Sequence, residues 1–220
     1  MHGPRYINME TTRTPNPEPR TPIIYPVILA VPEADRYFKA RKRVENLSHH
    51  ARKALDISAE KSGVVVTNLL KDDDGAPLPF DGNYWSVTHK PVYVGGVIAS
   101  KRIGIDIENI RSCSPALFKK IATDREWALS DIDPLQLFFR YWTSKESVLK
   151  AVGIGIRDLS KCRVEKIVDD NHLIIYYRNQ DWLMEHFFFN GHIASVVRND
   201  FKVEWTLSTR MLHKESKSLT

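Results

Sequence analysis

The sequence predicts an α+β fold in which each half of the chain supplies one long helix and several strands. Two regions, residues 33–59 and 134–152, place apolar side chains at helical spacing. Segments rich in β-branched and aromatic residues flank both regions, and those after residue 160 alternate in polarity like strands of an antiparallel sheet. Helices and strands are therefore mixed in both halves.

The first half is predicted to extend from residue 23 to residue 102. Residues 1–22 are rich in Pro, Thr and Arg and poor in core-forming side chains, which predicts a disordered tail before it. A loop containing several Gly and Pro residues, "DDDGAPLPFDG", interrupts the regular elements. The predicted strands of this half are residues 23–31, 64–70, 84–89 and 92–99.

The second half is predicted to extend from residue 103 to residue 209, with a tail over 210–220. Thr123 and Glu126 have the spacing of a capping box, which predicts that a helix begins there. Pro134 suits the first turn of the helix over 134–152. The later segments read as antiparallel strands: "RVEKIV", "HLIIYY", "HFFFNGHIASVV" and "KVEWTL".

The composition limits the class of protein. No uncharged apolar run approaches the 18 or so residues of a membrane span, so we expect no membrane partner. The net charge of +5 indicates an anionic partner, which could be nucleic acid, a phosphorylated cofactor or an acidic protein. The two cysteines, Cys113 and Cys162, have neither metal-ligand spacing nor a disulfide framework, which favours the cytoplasm.

The segment "IGIDIE" carries two acidic residues in a predicted strand. Residues two apart share one face of a strand, so Asp106 and Glu108 project to the same side. Neighbouring carboxylates repel each other, and hard oxygen ligands of this kind suit Mg²⁺. The alternative is an amphipathic strand with one wet face. Gly104 before the pair would let a ligand approach the backbone closely or would mark a bulge.

The predicted helix over 134–152 places a glutamate on its apolar side. Glu146 falls within the arc of Trp142 and Leu149, and burying an unpaired carboxylate is costly. A metal ion shared with the acidic strand would remove that cost, and Lys150 would then add positive charge beside a bound anion. The alternative is an exposed Glu146–Lys150 pair one helical turn apart.

Two further groups of residues could contact an anion. Thr88 and His89 end the predicted strand 84–89, although a lone histidine is more often structural. The basic run over residues 36–53 would be a solvated helix face or, beside a metal site, a clamp for phosphate groups. The arginines considered for such a clamp are Arg41, Arg43 and Arg52.

Three segments together, "SVTH", "IGIDIE" and "WTSKESVLKAVGIG", resemble the signature blocks of the 4′-phosphopantetheinyl transferases, in the longer surfactin-synthetase and enterobactin type. The resemblance extends over residues 33–200. It implies a monomeric pseudo-dimer of two α+β halves, each an antiparallel sheet with a long helix, and coenzyme A and Mg²⁺ in the cleft between them. It also implies transfer of the 4′-phosphopantetheine arm from coenzyme A to a serine of an apo acyl or peptidyl carrier protein, releasing 3′,5′-ADP.

The same resemblance assigns the site residues. The implied Mg²⁺ ligands, which could equally hold Mn²⁺, are Asp106, Glu108 and Glu146. The implied contacts to coenzyme A are Thr88, His89, Lys145 and Lys150, with Arg41, Arg43 and Arg52 as further candidates. The implied catalytic residues are Glu146, Lys150 and His89. Of these, Lys150 would assist departure of 3′,5′-ADP. The base that deprotonates the serine is left open among Glu146, Glu126 and a metal-bound water.

One departure from the family pattern concerns the loop before the histidine. The family often has a Gly-Lys-Pro turn there, whereas this chain has Ala76 in "GAP". One phosphate or base contact would therefore be either missing or supplied by another residue such as Lys71 or Lys90. Two other classes of protein remain as alternatives, a metal-dependent nuclease and a non-catalytic binding relic of the fold. Nothing in the sequence resembles a base-stacking or groove-reading module, so we expect no nucleic-acid partner.

Overall fold

Two β-sheets, each covered by a long helix, and a smaller two-stranded sheet make up the fold in the computed structural model, which describes residues 21–209. The predicted tails over 1–22 and 210–220 lie almost wholly outside the described residues. The first half consists of β1 (Ile23–Ile24), β2 (Val27–Ala30), α1 (Glu33–Arg36), α2 (Ala40–Lys61), β3 (Tyr84–His89) and β4 (Tyr93–Ala99). The α+β class predicted from the sequence is confirmed.

The second half contains most of the strands. It begins with β5 (Ile105–Asn109), α3 (Pro115–Ile121), α4 (Asp124–Trp127) and α5 (Pro134–Val152), followed by a 3₁₀ helix, Gly155–Lys161. The remaining strands are β6 (Arg163–Ile167), β7 (His172–Tyr177), β8 (Gln180–Phe189), β9 (His192–Val197), β10 (Lys202–Val203) and β11 (Thr206–Ser208).

The first sheet has the strand order β11-β2-β4-β3, and α2 packs on it. Every residue of the central strand β4 is buried. Gly96 on this strand allows close packing, because a Cβ there would lie 2.5 Å from the backbone nitrogen of Leu55 in α2. The sheet departs from the predicted antiparallel pattern at one edge, where β11 runs parallel to β2.

The second sheet is antiparallel throughout, with the order β5-β9-β8-β7-β6, and it carries α5. Gly104 lies where the chain enters β5, and a Cβ on it would collide with the carbonyl oxygen of Ser147 in α5. Its lack of a side chain is therefore explained by helix packing, rather than by a bulge or the approach of a ligand. This contact brings α5 close to the acidic strand.

The two halves share strands and a hydrophobic cluster. The last strands return to the first half, where β10 pairs with β1 and β11 pairs with β2. A buried cluster joins Ile28 and Tyr93 of the first sheet to Ile107 and Phe189 of the second. The halves are thus packed together, while the boundaries at residues 103 and 209 and the two-fold relation between the halves stay predictions.

Several predicted elements have the bounds that the structure shows. The strand 84–89 and the helix 134–152 agree at both ends. The capping box is formed, with the backbone nitrogen of Thr123 donating to Glu126 Oε2 over 2.7 Å. Asp133 and Pro134 begin α5 as cap and first residue.

The predicted strand 64–70 is wrong, and the first strand is divided. Residues 64–70 are irregular, with Val64 and Val66 packed towards the α2 side and Val65 80% exposed. Their β-branched side chains alternate, but the backbone finds no neighbouring strand to pair with. Pro26 separates β1 from β2, since it lacks the N–H that a continuous ladder needs.

The long helix α2 is amphipathic. Leu47, Ala51, Ala54 and Leu55 form its buried face, and charged side chains take most of the remainder. Over residues 21–209, the structure contains no helix that is long and apolar enough to cross a membrane.

Candidate functional site

Three residues, one from each motif block, meet around a single oxygen atom. Thr88 Oγ1 at the end of β3 donates to Oδ1 of Asp106 on β5 over 3.0 Å. Lys150 Nζ, in the last turn of α5, donates to the same oxygen over 2.7 Å and to the carbonyl oxygen of Ile105 over 3.0 Å. Asp106 is almost completely buried. The three motif blocks therefore form one site.

The packing of β3 beside β5 positions these groups. The backbone nitrogen of Ile105 donates to Ser86 Oγ over 3.2 Å, which ties the start of β5 to β3. Thr88 lies two residues after Ser86, so both side chains leave the same face of β3. Asp106 and Glu108 likewise share a face of β5, as predicted from the period of a strand.

The second oxygen of Asp106 has no protein partner. Asp106 Oδ2 is buried and makes no hydrogen bond with any of the residues that the structure describes. Leaving a buried charged acceptor unsatisfied is costly, so such an atom points to a ligand or to stored strain. An unsatisfied carboxylate oxygen is a suitable ligand for a hard cation.

Glu108 is paired with a lysine from the adjacent strand end. Lys90 Nζ donates to Glu108 Oε1 over 2.5 Å, and both side chains are partly buried. Partial burial acts to lower the pKa of Lys90, but the charge of Asp106 and the hydrogen bond with Glu108 outweigh it and raise that pKa. Lys90 is thus firmly protonated and neutralises Glu108.

Glu146 lies close enough to the other carboxylates to be affected by their charge. Burial raises its pKa, repulsion by Asp106 adds to that effect, and Lys150 and Lys90 oppose it. The lysine one turn later does not pair with Glu146, because its ammonium group lies on Asp106. The alternative of an exposed Glu146–Lys150 pair is therefore wrong.

The implied Mg²⁺ ligands fit a divalent cation in their chemistry but are not assembled around one. Within residues 21–209, no group of three or more His, Cys, Asp or Glu side chains is arranged to hold a metal ion. Lysine ammonium groups occupy one oxygen each of Asp106 and Glu108. The free oxygen of Asp106 and the raised pKa of Glu146 still indicate unmet demand for positive charge.

A cavity of about 510 Å³ opens beside this centre. Its wall includes Lys71, His89, Lys150 and Arg157, so that positive charge predominates and an anionic ligand is favoured. Loss of hydration by burial lowers the pKa of His89, and the charge of Lys150 lowers it further. The imidazole is therefore neutral at neutral pH, and it would gain a proton more readily beside a bound anion.

The loop 71–77 and the segment after α5 both contribute to the wall of this cavity. Arg157 donates to Asp74 over 2.9 Å, which links the two. A Cβ on Gly153 would lie 3.4 Å from the Cβ of Ala76, so the loop is packed directly against the end of α5. Gly153 caps α5 in the left-handed conformation at φ 78°.

A second cavity, of about 350 Å³, has Glu108 in its wall. Arg111 and Trp142 also line it, and Trp142 Nε1 is buried without a hydrogen-bond partner among the described residues. The carboxylate centre therefore borders two cavities, the first lined by Lys150 and the second lined by Glu108.

Two of the residues considered from the sequence face elsewhere. Lys145 is buried, and its ammonium group donates to Glu126 over 2.8 Å and to the carbonyl oxygen of Ile121. The reason is helical geometry, because residue 145 points about 100° away from residue 146. Lys145 lines neither of these two cavities, so its implied contact with coenzyme A finds no support in this geometry and stays a prediction.

Glu126 is held in the same buried pair and is not free to act as a base. Its oxygens accept hydrogen bonds from Lys145 and from the backbone nitrogens of Thr123 and Val164. Burial acts to raise the pKa of Glu126, but these hydrogen bonds outweigh it and hold the pKa below its usual value. Glu126 and Lys145 stabilise the fold around α4 and α5.

The three arginines of α2 line neither cavity. Arg41 is exposed and pairs with Glu45 over 2.8 Å on the helix surface, and Arg52 is exposed as well. The inner face of α2 packs on the sheet, which leaves its basic side chains on the outer face. Contact of Arg41, Arg43 and Arg52 with coenzyme A finds no support in this geometry.

Sequence reasoning missed two ion pairs at the site. Lys90–Glu108 and Arg157–Asp74 join residues that are 18 and 83 positions apart in the chain. For Lys90 a signal existed, since it directly follows His89 at the end of a strand predicted to lie near the site. For Arg157 none existed, because its partner depends on how the loop 71–77 folds back.

Comparison with known proteins gives a consistent result. The sequence profile of the 4′-phosphopantetheinyl transferase superfamily matches residues 102–203. A candidate 4′-phosphopantetheinyl transferase of Haemophilus influenzae is 30% identical over 141 residues, which are 60% of this chain and 59% of that protein. The 4′-phosphopantetheinyl transferase HetI of a Nostoc species is 39% identical over 71 residues, which are 30% of either chain.

The 4′-phosphopantetheinyl transferase gsp of Aneurinibacillus migulanus is 30% identical over 95 residues, or 40% of each chain. The matched regions thus span between 30% and 59% of the lengths of these relatives. The fold and site define a carboxylate and lysine centre beside a cationic cavity, where two α+β halves meet. Over residues 102–203 the chain is similar to the 4′-phosphopantetheinyl transferase superfamily, as it is to these three relatives.

Proposed function

We propose that this protein is a 4′-phosphopantetheinyl transferase of the longer type, acting on coenzyme A and an apo acyl or peptidyl carrier protein. The observation that carries the proposal is the meeting of Thr88, Asp106 and Lys150 beside a cavity of mainly positive charge. The products would be the modified carrier protein and 3′,5′-ADP. A monomer in the cytoplasm, with no nucleic acid or membrane partner, belongs to the same proposal.

The first cavity would hold the nucleotide and phosphates of coenzyme A. Lys71, His89 and Lys150 supply positive charge or a hydrogen-bond donor along its wall. Contacts of this kind orient a phosphoanhydride for attack and lower the entropy that must be lost at the reaction step. Thr88 acts indirectly, because its hydroxyl fixes the carboxylate that holds Lys150.

Lys150 would stabilise the leaving group. As the bond between phosphorus and the bridging oxygen breaks, negative charge grows on the departing 3′,5′-ADP. The ammonium group of Lys150 is already fixed by Asp106 and the Ile105 carbonyl oxygen, so little reorganisation is needed to meet that charge. The same contacts explain why a lysine at this position is buried on most of its length.

Glu146 is the best-placed base for the serine hydroxyl of the carrier protein. Its carboxyl group has a raised pKa, caused first by burial and then by Asp106, and it forms no ion pair within the described residues. It would take the hydroxyl proton as the serine oxygen bonds to the β-phosphorus. The hydrogen bonds that both oxygens of Glu126 accept in the core argue against that role for Glu126.

A divalent cation completes the proposal. Asp106, Glu108 and Glu146 would hold Mg²⁺, or Mn²⁺ in its place, and the ion would supply charge neutralisation for the pyrophosphate. The unsatisfied Asp106 Oδ2 is the observation in its favour. Lys90, which now neutralises Glu108, would then have to share that carboxylate with the ion or leave it.

One assay tests the proposed activity. The protein is incubated with coenzyme A, Mg²⁺ and a panel of apo acyl and peptidyl carrier proteins, and the carrier mass is measured. We expect the carrier mass to increase by one phosphopantetheine group with the wild-type protein. With the Asp106→Asn variant we expect no such increase. Unchanged carrier masses throughout would contradict the proposal and favour a binding relic of the fold. Parallel incubation with plasmid DNA and RNA tests the nuclease alternative.

A further inference from the structure

The pair of Lys90 and Glu108 occupies a carboxylate that the proposed function assigns to a metal ion. The Lys90 ammonium group lies 2.5 Å from Glu108 Oε1. The Lys90 backbone is itself fixed, since its N–H donates to the carbonyl oxygen of Tyr93 over 2.9 Å. The backbone is therefore fixed at the strand end, and from there the Lys90 side chain reaches Glu108 on β5.

The positive charge of Lys90 offsets part of the negative charge that the site carries. Three carboxylates, those of Asp106, Glu108 and Glu146, lie near two ammonium groups, those of Lys90 and Lys150. Lys150 has two fixed acceptors, Asp106 Oδ1 and the Ile105 carbonyl oxygen, and its place is set by α5. Among residues 21–209, the Lys90 ammonium group pairs with Glu108 alone, and its side chain is 32% exposed. It is the ammonium group that can move into solvent.

A divalent cation and an ammonium group cannot both neutralise Glu108 without repelling each other. Two positive charges a few ångströms apart repel each other strongly in a partly buried site, and a divalent ion doubles that repulsion. An ion at Glu108 therefore competes with Lys90, and without the ion Lys90 neutralises the charge of Glu108.

We infer that Lys90 is an internal counter-cation that competes with the divalent metal ion for Glu108 and so weakens metal binding in the free protein. The inference rests on the metal ligands proposed above. Lys90 is a positioning residue, since it acts on the carboxylate and not on the reacting atoms. It makes metal affinity depend on whether Lys90 is drawn away from Glu108.

Direct metal binding tests the competition without any transfer reaction. Binding of Mn²⁺ to the full chain, with no coenzyme A present, is followed by electron paramagnetic resonance. We expect Lys90→Met to raise the Mn²⁺ affinity about tenfold or more, because one nearby positive charge is removed. Lys90→Arg should retain the weak affinity, since a guanidinium group can still pair with Glu108.

Two controls locate the effect. Lys101→Met removes a lysine that pairs with Asp200 over 2.6 Å on an exposed surface, and it should leave the affinity unchanged. Asp106→Asn placed in the Lys90→Met background should abolish the gain, which assigns the bound ion to this site. Circular dichroism confirms that each variant is folded.

The outcomes separate this inference from the proposed function. Equal Mn²⁺ affinity in wild type and Lys90→Met, lower affinity in the variant, or no detectable binding by the variant would each overturn the competition. Carrier modification by the wild type alongside any of these results would leave the transferase proposal intact. A gain in affinity without carrier modification by any variant would support the competition and contradict the transferase.

Discussion

Lys150 donates to Asp106 over 2.7 Å and not to Glu146, which lies one helical turn before it in α5. This choice of partner connects the helix to the acidic strand across 44 positions of the chain. It leaves the Glu146 carboxylate without an ion pair among the described residues and fixes an ammonium group at the wall of the first cavity. The pair is therefore both structural and, on our proposal, catalytic.

Lys150→Met should lower both stability and turnover. We expect kcat to fall about 100-fold or more, the size of effect seen when one electrostatic stabiliser is removed. The free energy of unfolding should also fall by about 1–3 kcal/mol, since the buried Asp106 loses a partner. Steady-state kinetics with a carrier protein, measured well below the thermal midpoint of the variant, separates the two effects.

A double variant provides the control for that experiment. Lys150→Met combined with Asp106→Asn removes both charges, so part of the lost stability should return while turnover stays low. Lys150→Arg should rescue turnover poorly, because a planar guanidinium does not fit the place of a compact ammonium group. Wild-type turnover by Lys150→Met would show that the pair is only structural.

Asp106→Asn should abolish transfer without destabilising the protein. The amide can still accept from Thr88, while the buried charge with its unsatisfied Oδ2 is removed. We expect an unchanged or raised thermal midpoint together with a loss of kcat/KM of about 100-fold or more, since functional sites often sacrifice stability. A marked fall in the midpoint would instead assign Asp106 to the structural framework.

Local features of the fold were accessible from the sequence. The bounds of β3 and α5 follow from alternation, helical spacing and the proline in the first turn, and the capping box of Thr123 and Glu126 needs only two residues. The prediction of a strand over residues 64–70 was wrong because strand formation depends on a partner elsewhere in the chain. The side chains of this stretch favour extended backbone, but whether a neighbouring strand is available cannot be read from the stretch itself.

The sequence allowed most residues of the site to be predicted, but it did not allow their contacts with one another to be predicted. Period and spacing placed Asp106 with Glu108 and turned Glu146 inward, and the resemblance added Thr88 and His89. The partner of Lys150 depends on how closely α5 approaches β5, which Gly104 permits. Lys145 was assigned to the ligand by its motif, but its side chain points to the buried Glu126. Pairings of this kind are settled by packing between distant elements.

Arg157→Gln should weaken binding of coenzyme A. Arg157 lines the first cavity and faces the loop that has Ala76 in place of the lysine common in the family. We expect KM for coenzyme A to rise about two- to fivefold, as for loss of an exposed charge contact, with kcat little changed.

Two variants act as controls for Arg157. Arg52→Gln removes an exposed arginine that lines neither cavity, and it should leave KM unaltered. Asp74→Asn should lower KM, because it frees Arg157 from its present partner. If Arg52→Gln raised KM and Arg157→Gln did not, the basic helix would be the coenzyme A contact after all.

Glu126→Gln should destabilise the protein in a pH-dependent way while sparing the chemistry. At neutral pH the change leaves Lys145 buried and unpaired, which should reduce the free energy of unfolding by about 3–5 kcal/mol. The pKa of Glu126 is lowered in the folded protein, so its stabilising effect is present above the ordinary glutamate pKa of about 4.3. That effect is lost as the pH falls through the lower, folded pKa.

The difference in stability between wild type and Glu126→Gln should therefore be constant from neutral pH to about pH 5 and shrink below about pH 4. Urea unfolding at a series of pH values measures it. At a temperature where the variant is folded, kcat should stay within about threefold of wild type, since the side chain lies in the core and away from both cavities. A difference in stability that does not change with pH would mean that the pair is not held by charge, and a loss of kcat comparable to that of Lys150→Met would return Glu126 to the role of base.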